Sequence, residues 1–393
     1  MNIIQRLLVI AAFLTILIVV IAFARGYRLD MQKKSLTPTG ILAISSSPKA
    51  AKIYINNELQ GATDTNLTLP PGDYQVEVKK EGYTNWNKQV SLKGELVLTI
   101  DALLLPLNPS LSPLTNLGIV KAVPLDQTDQ ILLFTPDSIY LFDASTKPLS
   151  FMTPLKLILL KKNLPPDIDF IPKAVYFSPD YQQAIMEFNQ PPKKTITYLL
   201  SLGEENKNLF DVTTSEQTLL AAWDKQKQAD EQKIIETFPL DIVKIASDSF
   251  HIVSFSPSET KILYEATQPV TLPPIINPPL IATNQTKEER TLKKGHLYVY
   301  DMKEDKNYEI SNFKFQVSNS DPVVWYPDSR HLIFLDGKKV SIVDYDDTNK
   351  QTIYSGPFEK SFFTETSNGT LVILTNLNPE ENKLPDLYAV GIK

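Results

Sequence analysis

The chain has 393 residues, 42% hydrophobic and 21% charged, with a formal net charge of −6. That length suits two or three domains with buried cores, and scattered Lys and Arg in an acidic chain exclude a nucleic-acid binder, which needs a concentrated basic surface. Cysteine is absent, which removes disulfides, thiolate nucleophiles and thiolate metal sites together, and 29 prolines against 13 glycines favour stiff turns over long helices.

After a flank over residues 1–6 comes "LLVIAAFLTILIVVIAFA", Leu7 to Ala24, with no charge and one hydroxyl, Thr15. As a helix it spans about 27 Å, close to the hydrocarbon thickness of a bilayer, and it lacks the polar face of a soluble helix. Residues 7–24 are therefore predicted to be a single transmembrane helix whose partner is the lipid bilayer. Ala22-Phe23-Ala24 also matches a signal-peptidase site, so cleavage after Ala24 is the alternative; the length of the run favours an uncleaved anchor. Residues 25–38 read as a juxtamembrane linker. Arg25, Arg28, Lys33 and Lys34 there, against Arg6 ahead of the helix, would by the positive-inside rule keep the bulk of the chain in the cytoplasm.

Within residues 39–106, "AKIYIN" from Ala51 and "YQVEVKK" from Tyr74 alternate apolar and polar positions as half-buried strands do. Asn56-Asn57 and Pro70–Asp73 supply turns, and "ELVLTIDALL" from Glu95 adds a closing strand. A small antiparallel β-sandwich is predicted. Ser47-Pro48 before Ala51 and a strand, Gly61-x-Thr63, Leu69-Pro70-Pro71-Gly72-x-Tyr74, Glu81-Gly82-Tyr83 and Trp86 together resemble a PEGA domain, a short β module found mostly in bacterial and archaeal envelope proteins. The sequence departs from that family at Pro48-Lys49-Ala50-Ala51, where the naming tetrapeptide stands, and at Asp64, where a proline is expected. The resemblance implies an extracytoplasmic location, against the charge count. Tyr74, Tyr83 and Trp86 are expected to fill the small core; the alternative is a sugar-stacking platform at Tyr83 and Trp86.

Beyond a linker over residues 107–116, the chain from 117 to 393 repeats itself imperfectly. One element is an aromatic residue, a Pro-Asp-type turn and an apolar strand: "FSPDYQQAIMEF" from Phe177, "FSPSETKILYEA" from Phe255, "WYPDSRHLIFLD" from Trp325 and, more loosely, "FTETSNGTLVILT" from Phe363. The other is a strand, a polar turn and a strand, at Ile139, Ile196, Leu297 and Val340, with "DLYAVGIK" as a final strand. Two hairpins make a four-stranded sheet that cannot bury both faces alone, so a β-propeller of about five blades is predicted, or six if a degenerate blade is completed by the start of the domain. The Ser-Pro-Asp turn resembles the repeats of TolB-type propellers and of prolyl oligopeptidases. The fold class is thus all-β behind one transmembrane helix.

Two insertions interrupt the repeats. Residues 215–239 read as helix, with Leu219, Leu220 and Trp223 and then Ile234, Ile235 and Phe238 on apolar faces around a charged centre; they either lie on the propeller or bind a partner. Residues 268–290 carry Pro269, Pro273, Pro274, Pro278 and Pro279 and are expected to run extended, wrapping a neighbouring blade or docking on a partner.

Chemistry is sparse. His251, His296 and His331 adjoin predicted strands at comparable places in the repeats without metal-ligand spacing. Asp344, Asp346 and Thr348 resemble the start of a calcium loop but lack its glycine and its bidentate Glu, and read as a turn. No Gly-x-Ser-x-Gly elbow accompanies the propeller, nor a nucleotide motif. The expectation is no catalytic, cofactor-binding or metal residue, no cofactor and no nucleic-acid partner, with binding residues undetermined. The predicted function is an envelope platform for a protein or an envelope glycan. The alternatives are a glycan hydrolase acting through central carboxylates and a membrane-tethered scaffold facing the cytoplasm.

Overall fold

The apolar run folds as helix α1 (Ile3–Ala24), which begins four residues before the expected Leu7. Its large apolar side chains from Ile4 to Ile21 are all exposed, and Thr15 hides its hydroxyl by donating to the Ala11 carbonyl at 2.9 Å. The helix is long and apolar enough to cross a membrane. This computed structural model describes residues 3–24, 27–30, 35–145, 154–192, 194–311 and 323–392. Arg25, Lys33 and Lys34 of the basic flank and part of the hairpin expected from Ile139 lie outside the described residues.

Contacts divide the chain into two units: residues 1–108 with 276–287, and residues 109–275 with 288–392. In the first, the expected linker contains a hairpin, β1 (Tyr27–Asp30) and β2 (Ser35–Pro38), whose register brings Tyr27 opposite Pro38. Seven strands follow: β3 (Gly40–Ser47), β4 (Lys52–Ile55), β5 (Glu58–Ala62), β6 (Thr65–Leu69), β7 (Gly72–Lys79), β8 (Trp86–Leu92) and β9 (Val97–Leu103). They form sheets of order β6-β3-β9 and β5-β4-β7-β8. The sandwich is not wholly antiparallel as expected, because β3 and β9 pair in parallel; the chain visits the other sheet between them, so no hairpin fixes their direction. Alternation puts Leu42, Ile44, Ile53, Val76, Val78, Val90, Leu98 and Ile100 inside with Trp86, while Tyr74 and Tyr83 pack half-buried against them.

In the second unit, the segment expected as a linker carries a strand, β10 (Leu111–Pro113). Four sheets then follow in chain order. The first is β11 (Lys121–Pro124), β12 (Gln130–Phe134), β13 (Ser138–Asp143) and β14 (Leu155–Leu160); the second is β15 (Ala174–Phe177), β16 (Gln183–Gln190), β17 (Lys194–Ser201) and β18 (Phe210–Asp211). Helices α2 (Glu216–Ile235) and α3 (Leu240–Ser249) come next. The third sheet is β19 (Phe250–Phe255), β20 (Lys261–Ala266), then, past the small hairpin β21 (Val270–Thr271) and β22 (Thr291–Leu292), β23 (Leu297–Asp301) and β24 (Lys306–Ile310). The fourth is β25 (Val323–Trp325), β26 (His331–Asp336), β27 (Lys339–Asp344) and β28 (Gln351–Tyr354). The last has β29 (Phe363–Glu365), β30 (Leu371–Thr375) and β31 (Asp386–Val390), with β10 added beside β31 as its fourth strand.

The helical insertion is longer than expected, and the Pro-rich one docks elsewhere than expected. The helical one continues to Ser249, because Pro239 does not stop it: its carbonyl accepts from Val243 N and opens α3. Ile235 and Phe238 are buried, but Leu219, Leu220 and Trp223 are only half-buried. The Pro-rich segment does leave the third sheet between its second and third strands, yet its residues 276–287 group with the first unit instead of wrapping a blade.

Apolar clusters join the first sheet to the second through Leu132, Phe134, Met186 and Phe188, and the last sheet to the first through Phe362, Val372, Ile131 and Leu133. Another joins the third and fourth through Leu263, Val299, Trp325 and Phe334. The other face of the third sheet is covered by Ile235, Phe238, Ile242 and Ala246 of the helical insertion.

The chain just after β10 is tied to β31 by one carboxylate. Asp386 Oδ1 accepts from Thr115 Oγ1 at 2.9 Å, Leu117 N at 2.7 Å and Gly118 N at 3.3 Å. Asp386→Ala strands these donors in a buried place and is expected to cost about 3 kcal/mol. A denaturant midpoint lowered at unchanged slope for the second unit checks it.

Candidate functional site

Each sheet of the second unit turns from its first to its second strand in a similar way, and in four of the five the repeated sequence encodes the turn. The opening residue donates its N–H back to the strand beyond: Ser178 to the Gln183 carbonyl at 3.0 Å, Ser256 to Lys261 at 3.0 Å, Tyr326 to His331 at 2.8 Å, Thr366 to Thr370 at 2.9 Å and Leu125 to Gln130 at 3.0 Å. Each turn needs a left-handed residue, at Tyr181, Glu259, Ser329, Gly369 and Gln127. At Gly369 a side chain would also collide with the Tyr326 hydroxyl, so only glycine serves there.

Neighbouring turns are tied to one another. Ser258 N donates to Ser329 Oγ at 2.9 Å, and Tyr326 Oη donates to the Gly369 carbonyl at 3.3 Å. Ser367 donates through both N and Oγ to the two oxygens of Asp129, each at 2.6 Å. The residue ahead of the turn is Phe177, Phe255 or Trp325 in three sheets, and Glu365 in the last. The sequence repeat set at Phe363 was therefore two positions out of register, and it concealed this glutamate.

Glu365 Oε2 is buried and makes no hydrogen bond. Burial pushes its carboxyl up to about 7; its own backbone N–H opposes this, and Asp129 and Asp126 add to it. Two further buried polar atoms without partners stand on first strands, Ser254 Oγ in β19 and Trp325 Nε1 in β25. Thus the third, fourth and last sheets each leave one such group on the first strand. Glu265, Tyr308 and Ser341 have similar atoms on later strands. An orphaned buried group costs about 1–3 kcal/mol, and native structures keep few of them.

The histidines do not occupy comparable places. His251 is exposed inside β19; His296 precedes β23, with Nδ1 2.7 Å from Glu309 Oε1; His331 opens β26 and is buried. His331 stands between Asp328, 2.7 Å from Nδ1, and Asp344, 3.2 Å from Nε2. Burial opposes its charge, but the two carboxylates outweigh that, and its pKa is pushed up to about 10. The same Asp344 accepts from Thr348 Oγ1 and Asn349 Nδ2, and Asp346 accepts from Thr348 Oγ1 at 2.6 Å. The calcium-like motif is a self-bonded turn. Among the described residues no group of three or more His, Asp or Glu side chains is placed to hold a metal ion. Tyr83 and Trp86 pack into the sandwich core, so no exposed platform forms there.

Residues 39–108 match the PEGA domain family. No curated protein matches the chain. Solved structures similar to it include TolB-type proteins from Agrobacterium tumefaciens, at 13% identity and a TM-score of 0.21 over 63% of this chain and 66% of that one, and from Acinetobacter baumannii, at 10% and 0.24 over 81% and 60%. This chain thus spans less than two thirds of either TolB-type structure. The β-propeller domain of the Trilobed protease from Pyrococcus furiosus is similar at 10% identity and a TM-score of 0.22, over 90% of this chain and 96% of that one.

Two pH-dependent outcomes follow from these groups. Since the folded Glu365 carboxyl sits near 7, above its ordinary 4.5, it favours the folded state at acid pH, and that contribution is lost as pH rises through about 7. Glu365→Gln is expected to be more stable than the parent at pH 8 by up to about 3 kcal/mol and equal to it at pH 4, read from thermal midpoints at both pH values. His331 has the same sign in a higher window: its ion pairs stabilise fully below 6.5 and fade as pH rises through about 10. His331→Ala, which takes the cation from the partly exposed Asp328 and the half-buried Asp344, is expected to cost about 1–3 kcal/mol at pH 6 by denaturant unfolding.

Proposed function

We propose that this chain is a membrane-anchored envelope protein whose second unit is a five-bladed β-propeller serving as a binding platform for a protein or a cell-envelope glycan. The PEGA domain at residues 39–108 supports the envelope placement, and α1 supplies the anchor. Each four-stranded sheet is one blade, with β10 completing the last, and the first strands β11, β15, β19, β25 and β29 face the axis. The observation that carries the binding reading is the set of unpartnered buried atoms on three of those strands: Ser254 Oγ, Trp325 Nε1 and Glu365 Oε2. A ligand offering donors and acceptors at the axis recovers hydrogen bonds that the empty platform forgoes.

The experiment is capture by the full-length protein in detergent, against envelope extract and isolated cell-wall glycan in parallel. Trp325→Phe and Glu365→Gln are expected to weaken capture while a distant change, Leu107→Ser, leaves it intact; capture indifferent to both substitutions overturns the reading. Protease added to intact cells is expected to remove the propeller, and its survival places the platform in the cytoplasm.

A second reading rests on Glu365 itself. A carboxyl held near neutrality can act as a general acid, as in glycan hydrolysis. Turnover of an envelope glycan that disappears in Glu365→Gln with the fold intact replaces the platform with an enzyme.

A further inference from the structure

The first unit has an apolar end, and three segments distant in sequence meet there. Strands β3 and β9 are parallel and start together, pairing Ile41 with Val97 on the outward face. Ile41 is 36% exposed and Val97 53%. Farther along that face come Ala43 and Thr99, then Ser45 and Asp101, so it grows polar away from its start. Beside it the Pro-rich segment 276–287 brings Leu280 and Ile281, 45% and 63% exposed. Its Gln285 side chain accepts from Ser91 N at 2.5 Å and donates to Ser91 O at 2.7 Å, as a paired strand would on the edge of β8. Leu280 and Ile281 with Leu92, Leu96 and Leu98 line a cavity of about 170 Å³.

This end is the one tied to α1. Ala24 and Tyr27 are three Cα steps apart, a reach of at most about 11 Å. The β1–β2 hairpin returns the chain to Pro38 opposite Tyr27, two residues before β3. Tyr27 Oη donates to Glu95 Oε1 at 2.8 Å, Glu95 N to Thr39 O at 2.9 Å and Ile41 N to Leu96 O at 2.8 Å. The turn over residues 93–96 is thereby held next to the residue that leaves the helix. Lys93 is exposed in that turn, and the sequence between α1 and β3 carries Arg25, Arg28, Lys33 and Lys34.

We infer that this end, Ile41 and Val97 with Leu280 and Ile281 of the Pro-rich segment, lies in the headgroup region of the bilayer that holds α1 and makes a second contact with lipid. The inference rests on α1 being a membrane span, as the proposed function has it. Short tethering, outward apolar side chains, a tyrosine at the helix exit and flanking cations are the chemistry of an interfacial contact with anionic lipid. The Pro-rich segment then contributes a lipid-facing tip to a module from which it is remote in sequence.

Because the chain has no cysteine, single-cysteine variants of the full-length protein carry one fluorophore each. They are reconstituted in phosphatidylcholine–phosphatidylglycerol vesicles bearing nitroxides either among the headgroups or deep in the acyl chains. Labels at Val97→Cys and Ile281→Cys are expected to shift to the blue and lose most of their emission to headgroup nitroxides. A label at Leu107→Cys, 61% exposed and beyond the far end of β9, which is itself about 20 Å long, is expected to keep its emission. A label at Ile16→Cys with the deep nitroxide reports on the anchor. Quenching at Ile16 with labels 97 and 281 behaving like 107 overturns the inference alone and gives the patch to a protein occupant. No quenching at Ile16 overturns the anchor and the inference with it.

Discussion

A β-sheet with two apolar faces must have both covered, and the second unit is arranged around that requirement. Apolar residues follow one another along the middle strands so that both sides are buried: in β20, Ile262 and Tyr264 face one way and Leu263 the other, all fully inside. Each buried side chain of this size contributes about 1.5–3 kcal/mol relative to exposure. Sheet against sheet supplies most of the cover. On one side of the third sheet the cover is helical, with Phe238 lying between Phe255 and Tyr300 at ring distances of 6.3 and 6.4 Å. The helical insertion is thus part of the core, and its charged middle stays in water.

Burial on this scale makes every polar group inside a choice between pairing and cost. His331 and its two aspartates are the paired case: three ionisable groups, each satisfied, locking the start of β26 to the turns on either side. Glu365 is the case with one oxygen left unpaired, Oε2 of a carboxyl standing where Phe177, Phe255 and Trp325 pack in other sheets. The first is explained by the fold alone. The second carries a cost the fold does not recover, which is why it directs attention to a ligand.

How much of this could be read beforehand follows the physics. Alternation and turn chemistry are local, and they marked the strands around Ala51, Tyr74, Phe177 and Trp325 correctly. Direction and partnership are not local. Nothing in "ELVLTIDALL" says that β9 runs parallel to β3, and Leu111–Pro113 is too short to announce itself as a strand until β31 offers an edge. The three histidines look alike in the chain and differ in the fold because their neighbours come from other strands. Glu365 was hidden by an alignment on the nearest aromatic, Phe363, when the hydrogen bond from Thr366 N is what sets the true register. The Pro-rich segment was legible as non-helical, but its docking place depends on Ser91, 194 residues away.

That last pairing has a temporal side. The sandwich up to Asn108 leaves the ribosome complete in all its own strands, yet the stretch that covers β8, residues 276–287, is still unmade. At about 5–20 residues per second, roughly 10–35 s of synthesis separate the two. Throughout that interval the newborn module shows an open strand edge, the kind of surface on which another chain can pair.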